Sequence, residues 1–155
     1  MAAIRFDQPR FDRELRPQLG ALLIKKGMIS EKQLDEALAE RRQTGELLGQ
    51  ILLRKRFVFE DELARTLAEQ LGMEALSVAN ISVDPVAAAM IQPELGARLL
   101  ALPVRLQGDD AVVVAIADPT DEAGLNEVRA ALGRPVKFAI GLPSEIRAFW
   151  RRFGF

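Results

Sequence analysis

The sequence predicts an α+β fold in which an N-terminal tandem helical repeat packs on a small three-stranded sheet with its own helices. Two observations predict this fold. Residues 18–70 contain the same helical pattern twice, and residues 102–152 alternate short Val- and Ile-rich runs with helical patterns. The order of strands and helices in the second region places helices against a sheet. We expect three segments, an arm over 1–17, the repeat over 18–75 and an α+β lobe over 76–155.

The N-terminal arm is rich in arginine and is interrupted by Pro9 and Pro17. A segment of this kind is predicted to form an extended arm or a short helix that packs on the body. Its basic side chains are typical of a solvated surface, and a functional basic arm is the less favoured interpretation.

The repeat is a duplication that aligns without a gap at an offset of 29 residues. The first copy spans residues 18–41, the second spans 47–70, and a five-residue spacer joins them. The identical pairs include Leu19/Leu48, Gly20/Gly49, Leu23/Leu52, Leu34/Leu63, Leu38/Leu67, Ala39/Ala68 and Glu40/Glu69.

Each copy is predicted to form a short helix, a tight turn and a longer helix. In the first copy, Gly27 lies where a left-handed residue ends a helix, and Ser30 begins the next helix as an N-cap with Gln33 three residues on. The second copy has Arg56 and Phe59 at the equivalent positions. Because an arginine in the left-handed region costs roughly 1 kcal/mol relative to glycine, we expect the second turn to differ in shape.

The second half of the chain is predicted to contain three strands and three helices. Gly133 ends the second of these helices, and an Asp-Pro-Thr-Asp segment at 118–121 begins it. Those acids are more simply a turn and a helix N-cap than a catalytic carboxylate pair. The predicted elements are a helix at 93–100, strands at 102–106 and 111–117, a helix ending at 132, a strand at 136–140 and a helix from 143 to 152.

The composition excludes several classes of function. The chain has no cysteine and no histidine, which removes disulfides, thiolate nucleophiles, His-based zinc sites and Ser-His-Asp triads. Its formal net charge of −1 argues against a DNA- or RNA-binding protein, and it has no Walker A motif. It also lacks a signal-peptide core and an 18-residue apolar run. We therefore predict a cytoplasmic, non-catalytic domain without a metal or a cofactor.

Gly20 and Gly49 allow two interpretations. Each follows a leucine at the start of an apolar helix, where free backbone N–H groups and a missing side chain admit an anion. Two such helix starts would suit a two-fold symmetric ligand with two phosphates. Alternatively, the glycines only let two helices pack closely, and the spacing by itself favours this second interpretation.

The two copies together resemble the MshEN-type N-terminal domain of type II secretion and type IV pilus assembly ATPases, a module also fused to some membrane glycosyltransferases. The family pattern opens each copy with Arg-Leu-Gly and closes it with Gln. The resemblance continues through residues 71–72, 91–95, 102–104 and 117–121, so it covers nearly the whole chain after residue 17. It implies a bacterial domain that binds cyclic di-GMP, with each copy taking one half of the dinucleotide.

The resemblance also implies which residues face the ligand. In the first copy these are Gln18, Leu19, Gly20, Leu23, Gly27, Met28, Ile29, Leu34, Leu38 and Arg41, with Arg16 beside them. In the second copy they are Leu47, Leu48, Gly49, Leu52, Phe57, Val58, Leu63, Leu67 and Gln70. Apolar members would cover the purine faces, glycines would admit the sugar–phosphate backbone, and the end residues would bond guanine edges or phosphate.

Some positions depart from the family pattern, and three of them bear on ligand binding. Gln18 replaces the leading arginine, Arg41 replaces the closing glutamine of the first copy, and Arg56 replaces the second glycine. A bidentate arginine–guanine contact is worth about 1–3 kcal/mol, so its loss at residue 18 would weaken binding roughly ten- to a hundredfold. Arg16 or Arg41 could restore a guanidinium from another direction.

Two functions therefore stand as hypotheses. The favoured one is a cyclic di-GMP receptor that relays the signal to an attached or cognate ATPase or glycosyltransferase. The alternative is a protein-docking adaptor of a secretion or pilus ATPase that has lost the nucleotide and couples the motor to an inner-membrane platform protein. Either function would place the domain at the inner face of the bacterial inner membrane.

Overall fold

The computed structural model describes residues 19–119 and 121–155, and these form two compact units. The first unit ends at Gln70 and the second begins at Leu71. The predicted arm, and with it Arg16 and Gln18, lies outside the described residues.

The first unit contains the four helices that the repeat predicts. Helix α1 covers residues 19–25, and α2 (Glu31–Thr44), α3 (Leu48–Arg54) and α4 (Glu60–Leu71) follow it. The capping box that begins α2 is confirmed. The backbone N–H of Gln33 donates to the Ser30 hydroxyl at 3.1 Å, and the Ser30 N–H donates to the Gln33 side chain at 2.9 Å. This pair satisfies donors that a helix start otherwise leaves open.

The expectation that the second turn differs in shape is wrong. Arg56 has φ 59° and Gly27 has φ 71°, so both lie in the left-handed region. The residue after each of them donates its N–H across the turn to the helix before it, Met28 to Leu23 and Phe57 to Leu52, both at 2.9 Å. This is the Schellman arrangement, which satisfies carbonyl groups at the end of a helix. The bonds of the arrangement hold Arg56 in the left-handed region despite its side chain.

The core of the first unit is built from both copies. Leu23, Ala37, Ile51 and Leu52 have no exposed surface. These side chains recur at helical spacing, so each helix turns one apolar face inward.

The second unit is a mixed sheet with helices. Its strands are β1 (Ala75–Leu76), β2 (Ala101–Gln107), β3 (Ala111–Ile116) and β4 (Val136–Gly141), in the order β1-β4-β3-β2. Strands β2 and β3 are antiparallel, whereas β4 runs parallel to both β3 and β1.

The prediction of three strands needs a correction, because the sheet formed by the described residues has four. The additional strand, β1, is two residues long and lies at the edge, where it pairs through Ala75 with Ile140. A strand this short has no alternating pattern that the sequence could display.

Five helical segments accompany the sheet in the described part of the second unit. A 3-10 turn (Val78–Asn80) and α5 (Pro85–Ala88) precede α6 (Pro93–Leu99), α7 (Glu122–Leu132) and α8 (Pro143–Arg151). The acidic segment before α7 is a helix cap as predicted, because the Asp121 carboxylate accepts the Gly124 N–H at 3.0 Å. Gly133 ends α7 with φ 61°.

Trp150 anchors α8 to the core of the second unit. Its indole N–H donates to the carbonyl of Ala101 at 3.0 Å, and the side chain is 2% exposed. The ring lies against Gly96 of α6, where an added Cβ would be 2.5 Å from the indole. Gly96 is therefore required by the close approach of the ring.

Candidate functional site

Two ion pairs connect the helical copies reciprocally. Lys26, at the end of α1, pairs with Glu69 of α4. Lys55, at the end of α3, pairs with Glu40 of α2 at 2.9 Å. At the offset of 29 residues, Lys26 is equivalent to Lys55 and Glu40 is equivalent to Glu69. The lysine of each copy therefore pairs with the glutamate of the other copy. Such an exchange of equivalent contacts means that the copies are related by an approximate two-fold axis.

The ion-pair network is denser between α2 and α3. Arg54 contacts Glu40 and also Glu46, the latter at 3.2 Å, and Lys55 reaches Glu36 at 3.2 Å. Hydrogen bonds from Lys55 and then Arg54 lower the pKa of Glu40 below its usual value. The same bonds raise the pKa values of Lys55 and Arg54. Glu40, Lys55 and Arg54 therefore keep their charges at neutral pH and hold the copies together.

The two repeat glycines lie against equivalent leucines. A Cβ on Gly20 would be 2.7 Å from Leu34 Cδ1, and a Cβ on Gly49 would be 3.3 Å from Leu63 Cδ2. Each glycine therefore lets the first helix of its copy approach the second. This geometry supports the packing interpretation of both glycines, and the contact is tighter in the first copy.

Most of the apolar candidates are core residues. They contact one another within a single hydrophobic cluster, and at most 8% of each side chain is exposed. These buried candidates are Leu19, Leu23, Ile29, Leu48, Leu52, Val58, Leu63 and Leu67. A purine could reach these side chains only if the helices moved. The need to fill the core is therefore enough to explain why apolar residues recur in both copies, without a ligand.

A smaller set of candidates reaches the surface. Gly27 is exposed and Gly49 is half-buried, whereas Gly20 is buried like the core residues. The half-buried apolar candidates are Met28, Leu34, Leu38, Leu47 and Phe57. Met28 and Phe57 are the equivalent residues that follow the two left-handed turns. Met28 and Phe57 therefore offer apolar surface at equivalent positions in the two copies.

Arg41 and Gln70 end the inward-facing stripes of the two long helices. On α2 the stripe passes through the buried Ala37, and on α4 it passes through the buried Thr66. Both Arg41 and Gln70 are half-buried. Among the described residues, Arg41 and Gln70 are therefore polar candidates at equivalent positions in the two copies.

Sequence reasoning missed the lysines and their partners. Lys26 and Lys55 are identical residues at the repeat offset, and so are Glu40 and Glu69. That identity was a readable signal, because opposite charges kept in both copies suggest a pair. Which carboxylate each lysine would meet was not readable, since Lys26 and Glu69 are 43 residues apart.

Other kinds of site are not found in residues 19–119 and 121–155. No group of three or more acidic residues is arranged to hold a metal ion. Within the same residues, no helix is long and apolar enough to cross a membrane.

Comparison with known sequences gives a family and two curated relatives. The family model described as the MshEN domain matches residues 71–154. The type IV pilus assembly ATPase PilB of Thermus thermophilus is 40% identical over 136 residues, which are 87% of this chain and 15% of the relative. PilB of Myxococcus xanthus is 25% identical over 136 residues, which are 88% of this chain and 24% of the relative. The chain thus spans less than a quarter of either relative.

Comparison with solved structures finds the same fold. The structure of MshE with cdg, which is cyclic di-GMP, superposes with a TM-score of 0.75 and 29% identity, covering 87% of this chain and 97% of that one. The N-terminal domain of XpsE superposes with a TM-score of 0.68 at 24% identity, covering 86% of this chain and 92% of that one. The XpsE likeness concerns the fold alone. Because the second unit holds only residues 71–155, the MshE match must include most of the first unit.

Proposed function

The chain belongs to the MshEN domain family, and on that premise we propose that it is a non-catalytic regulatory domain that binds cyclic di-GMP across its two helical copies. The proposal includes a relay of the binding event to an attached or cognate ATPase. Both curated relatives are named as pilus assembly ATPases, which favours an ATPase over a glycosyltransferase as that module.

The observation that carries the proposal is the two-fold relation between the copies. Cyclic di-GMP is itself two-fold symmetric, so each half of the ligand would meet equivalent groups. The reciprocal ion pairs of Lys26 and Lys55 support this relation, and so do the matching turns at Gly27 and Arg56. The likeness to MshE, which was solved with cyclic di-GMP, supports the choice of ligand.

The half-exposed candidates would make the contacts. Met28 and Phe57 follow the two turns and offer apolar or aromatic surface to a purine. Arg41, near the end of α2, would supply its guanidinium, and Gln70, near the end of α4, would supply its amide nitrogen, because its side-chain oxygen is buried. The buried leucines of both copies hold the helices in place and so fix the positions of these residues, as a preorganised site requires.

Leu47 offers a test that leaves the fold intact. It occupies the N-cap of α3 with extended backbone, and its side chain makes no capping bond. Leu47→Asp should cap α3 and stabilise the helix by about 1 kcal/mol. The same carboxylate would repel a phosphate at this candidate position. We expect Leu47→Asp to weaken cyclic di-GMP binding at least about tenfold in calorimetric titration, a change of about 1.4 kcal/mol.

Leu47→Asn is the matched control. Asparagine caps a helix as well as aspartate does but carries no charge, so it should retain most of the affinity. GTP serves as the control ligand. Micromolar binding of cyclic di-GMP that Leu47→Asp weakens at least about tenfold, while Leu47→Asn largely retains it, supports the receptor. If the folded wild-type domain gives no heat at millimolar cyclic di-GMP, the receptor function is wrong.

A protein-docking adaptor is the second candidate function. It is favoured by the burial of the leucines and of Ile29 and Val58, because these residues serve the core and do not require a nucleotide. An adaptor would couple an ATPase to an inner-membrane platform protein on the cytoplasmic side. A folded domain that ignores cyclic di-GMP, together with binding to such a platform protein, would favour the adaptor.

A further inference from the structure

The end of α8 is an aromatic surface that is partly exposed. The ring centroids of Phe149 and Phe153 are 5.4 Å apart, and those of the two phenylalanines lie 5.1 and 6.0 Å from the ring of the buried Trp150. Phe153 is 54% exposed and Phe155 is 46% exposed. Because the hydrogen bond of its indole fixes Trp150 in the core, the rings that contact it are held at the surface.

A Schellman arrangement fixes the residues that follow α8. The N–H of Phe155 donates to the carbonyl of Trp150 at 3.3 Å, and the N–H of Gly154 donates to the carbonyl of Arg151 at 3.1 Å. Gly154 has φ 88°, the left-handed backbone that this arrangement needs. The exposed phenylalanines therefore belong to an ordered helix end. Adjacent apolar side chains that are ordered and exposed are typical of an interaction surface.

The same surface is basic. Residues 129–155 contain six basic side chains and one acidic side chain, whereas residues 1–128 contain 15 basic and 21 acidic ones. The acidic one, Glu145, already accepts hydrogen bonds from a hydroxyl and a backbone N–H. Arg151 and Arg152 are exposed, and neither forms an ion pair within the described residues.

We name this surface the basic aromatic end, and it consists of Phe149, Arg151, Arg152, Phe153 and Phe155. The Arg152 guanidinium lies 5.9 Å from the centroid of the Phe149 ring, so positive charge and aromatic surface adjoin each other. A partner for this surface would combine carboxylates with apolar side chains.

The tip of the β2–β3 hairpin has that chemistry. Leu106 is 41% exposed, and Asp109 and Asp110 are exposed in the turn. Neither aspartate forms an ion pair with another described residue. We name Leu106, Asp109 and Asp110 the acidic tip.

The two surfaces lie at opposite ends of the sheet. Ala101, which accepts the indole N–H of Trp150, begins β2 and pairs with Ile116 at the end of β3. The turn that contains Asp109 and Asp110 joins the other ends of the same two strands. A strand of seven residues is about 20 Å long, so the two surfaces of one copy do not meet. The surfaces of two different copies can meet.

We propose that the second unit associates head to tail with the second unit of another copy of this chain, the acidic tip of one copy binding the basic aromatic end of the next. Such a contact is heterologous, because it joins two different surfaces and leaves each copy one surface for a further copy. It removes exposed phenylalanine and leucine from water and gives the arginines carboxylate partners. Because both surfaces are small, the contact belongs to the weak, transient class of interfaces.

An anionic lipid surface is the competing occupant of the basic aromatic end. The apolar side of α8 is not available to lipid, because Ile146 and Trp150 are buried in the core. In addition, an anionic membrane would repel the acidic excess of residues 1–128. A small acidic protein surface avoids both obstacles, and the acidic tip of a second copy is such a surface.

Analytical ultracentrifugation of the whole chain tests the association. The wild type should change from monomer to larger species as its concentration rises to about 1 mM, and added salt should weaken this association by screening the charges. Asp109→Lys with Asp110→Lys should raise the dissociation constant at least about tenfold, and so should Arg151→Glu with Arg152→Glu. A wild-type chain that stays monomeric over this range would show that the proposed contact does not form.

Mixing the two charge-reversed variants identifies the contacting surfaces. Each variant by itself has two surfaces of like charge and should remain monomeric. In an equimolar mixture, every surface of one variant meets an oppositely charged surface of the other, so association should return to within about threefold of the wild type. If the mixture stays monomeric, or if either variant associates as the wild type does, the two surfaces are not partners.

Matched variants test the apolar part and the specificity of the contact. Phe153→Ser should weaken association at least about threefold, because it removes buried apolar surface from the contact. Phe59→Ser changes an exposed phenylalanine of the first unit and should have no effect. Glu31→Lys with Asp35→Lys reverses two exposed acids on α2 and should also have no effect. Circular dichroism on each variant establishes that it is folded.

Phosphatidylglycerol vesicles test the competing occupant. The wild-type chain should not sediment with them. If a chain that is monomeric in solution binds the vesicles, and if Arg151→Glu with Arg152→Glu abolishes this binding, the basic aromatic end binds lipid and head-to-tail association is wrong. None of these measurements involves cyclic di-GMP, so they test the association independently of the proposed function.

Discussion

Arg56 shows how a tertiary pattern overrides the preference of one residue. It keeps the left-handed backbone that Gly27 adopts in the first copy, although a side chain makes this conformation unfavourable. The Schellman hydrogen bonds that end α3 depend on that conformation. Both copies therefore form the same turn, and the left-handed backbone of Arg56 makes the turn of the second copy less favourable.

Arg56→Gly should raise the free energy of unfolding by about 1 kcal/mol, because glycine adopts positive φ without the clash of a Cβ. Urea denaturation of the whole chain measures the change. The reverse exchange, Gly27→Arg, should lower the free energy of unfolding by a similar amount. Arg65→Gly is the control, since it places glycine within α4 and should destabilise the protein by about 1 kcal/mol. A loss of stability in Arg56→Gly would contradict the prediction.

At the scale of the element, α2 and α3 are held together by charged groups. Glu40 lies between Lys55 and Arg54, and its pKa is lowered by hydrogen bonds from both. A carboxyl group with a lowered pKa stabilises the fold above its unfolded value, which is near 4.5, and this contribution is lost as the pH falls through the folded value. The raised pKa values of Lys55 and Arg54 contribute stability that is present at acid and neutral pH and is lost only in alkali, so this contribution does not change across the acid range.

Glu40→Gln should therefore reduce stability at pH 7 and should have a progressively smaller effect as the pH falls below about 4.5. Thermal unfolding of wild type and variant between neutral pH and about pH 3 measures the difference. Asp35→Asn, which changes an exposed acid on the same helix, is the control and should change the stability at pH 7 less than Glu40→Gln does. If the wild-type and Glu40→Gln curves stay parallel across the acid range, the pair with Lys55 does not stabilise the fold.

At the scale of the whole molecule, the second unit shows the family of the chain, and the first unit contains the proposed ligand site. The family model matches residues 71–154 in the second unit, whereas the proposed ligand site lies entirely in the first. Membership of the family is thus established by the sheet and its helices, and the repeat carries the functional proposal. The sequence of the repeat suggested the family through its spacing, which agrees with the match found in the other unit.

Hydrogen exchange can assign ligand binding to one unit. Cyclic di-GMP should slow exchange at backbone amides of α1 to α4, with the largest change around the turns at Gly27 and Arg56, because a bound ligand stabilises the segments that it contacts. Amides of β2 and β3 should change least. Mass spectrometry of the deuterated chain with and without ligand measures this. Protection that is confined to the sheet would place the ligand outside the proposed site.

Much of the architecture followed from the sequence by itself. The duplication, the helices, the capping box at Ser30, the αL end of α1 and the three longer strands were predicted because they depend on periodicity and on residues close together in the chain. The exclusion of cysteine and histidine chemistry also followed directly. By contrast, β1 escaped prediction, because a two-residue edge strand is defined only by its pairing with β4.

The site was predicted less completely. The spacing marked apolar residues but could not separate Leu38, which is half-buried, from Leu52, which is fully buried, because exposure depends on the surrounding helices. Only the tertiary structure decided that Lys26 meets Glu69 while Lys55 meets Glu40. The sequence determined that two like units exist, since that is a property of order along the chain. Only the tertiary structure determined that the two copies are related by an approximate two-fold axis, because this relation depends on contacts between residues far apart in the chain.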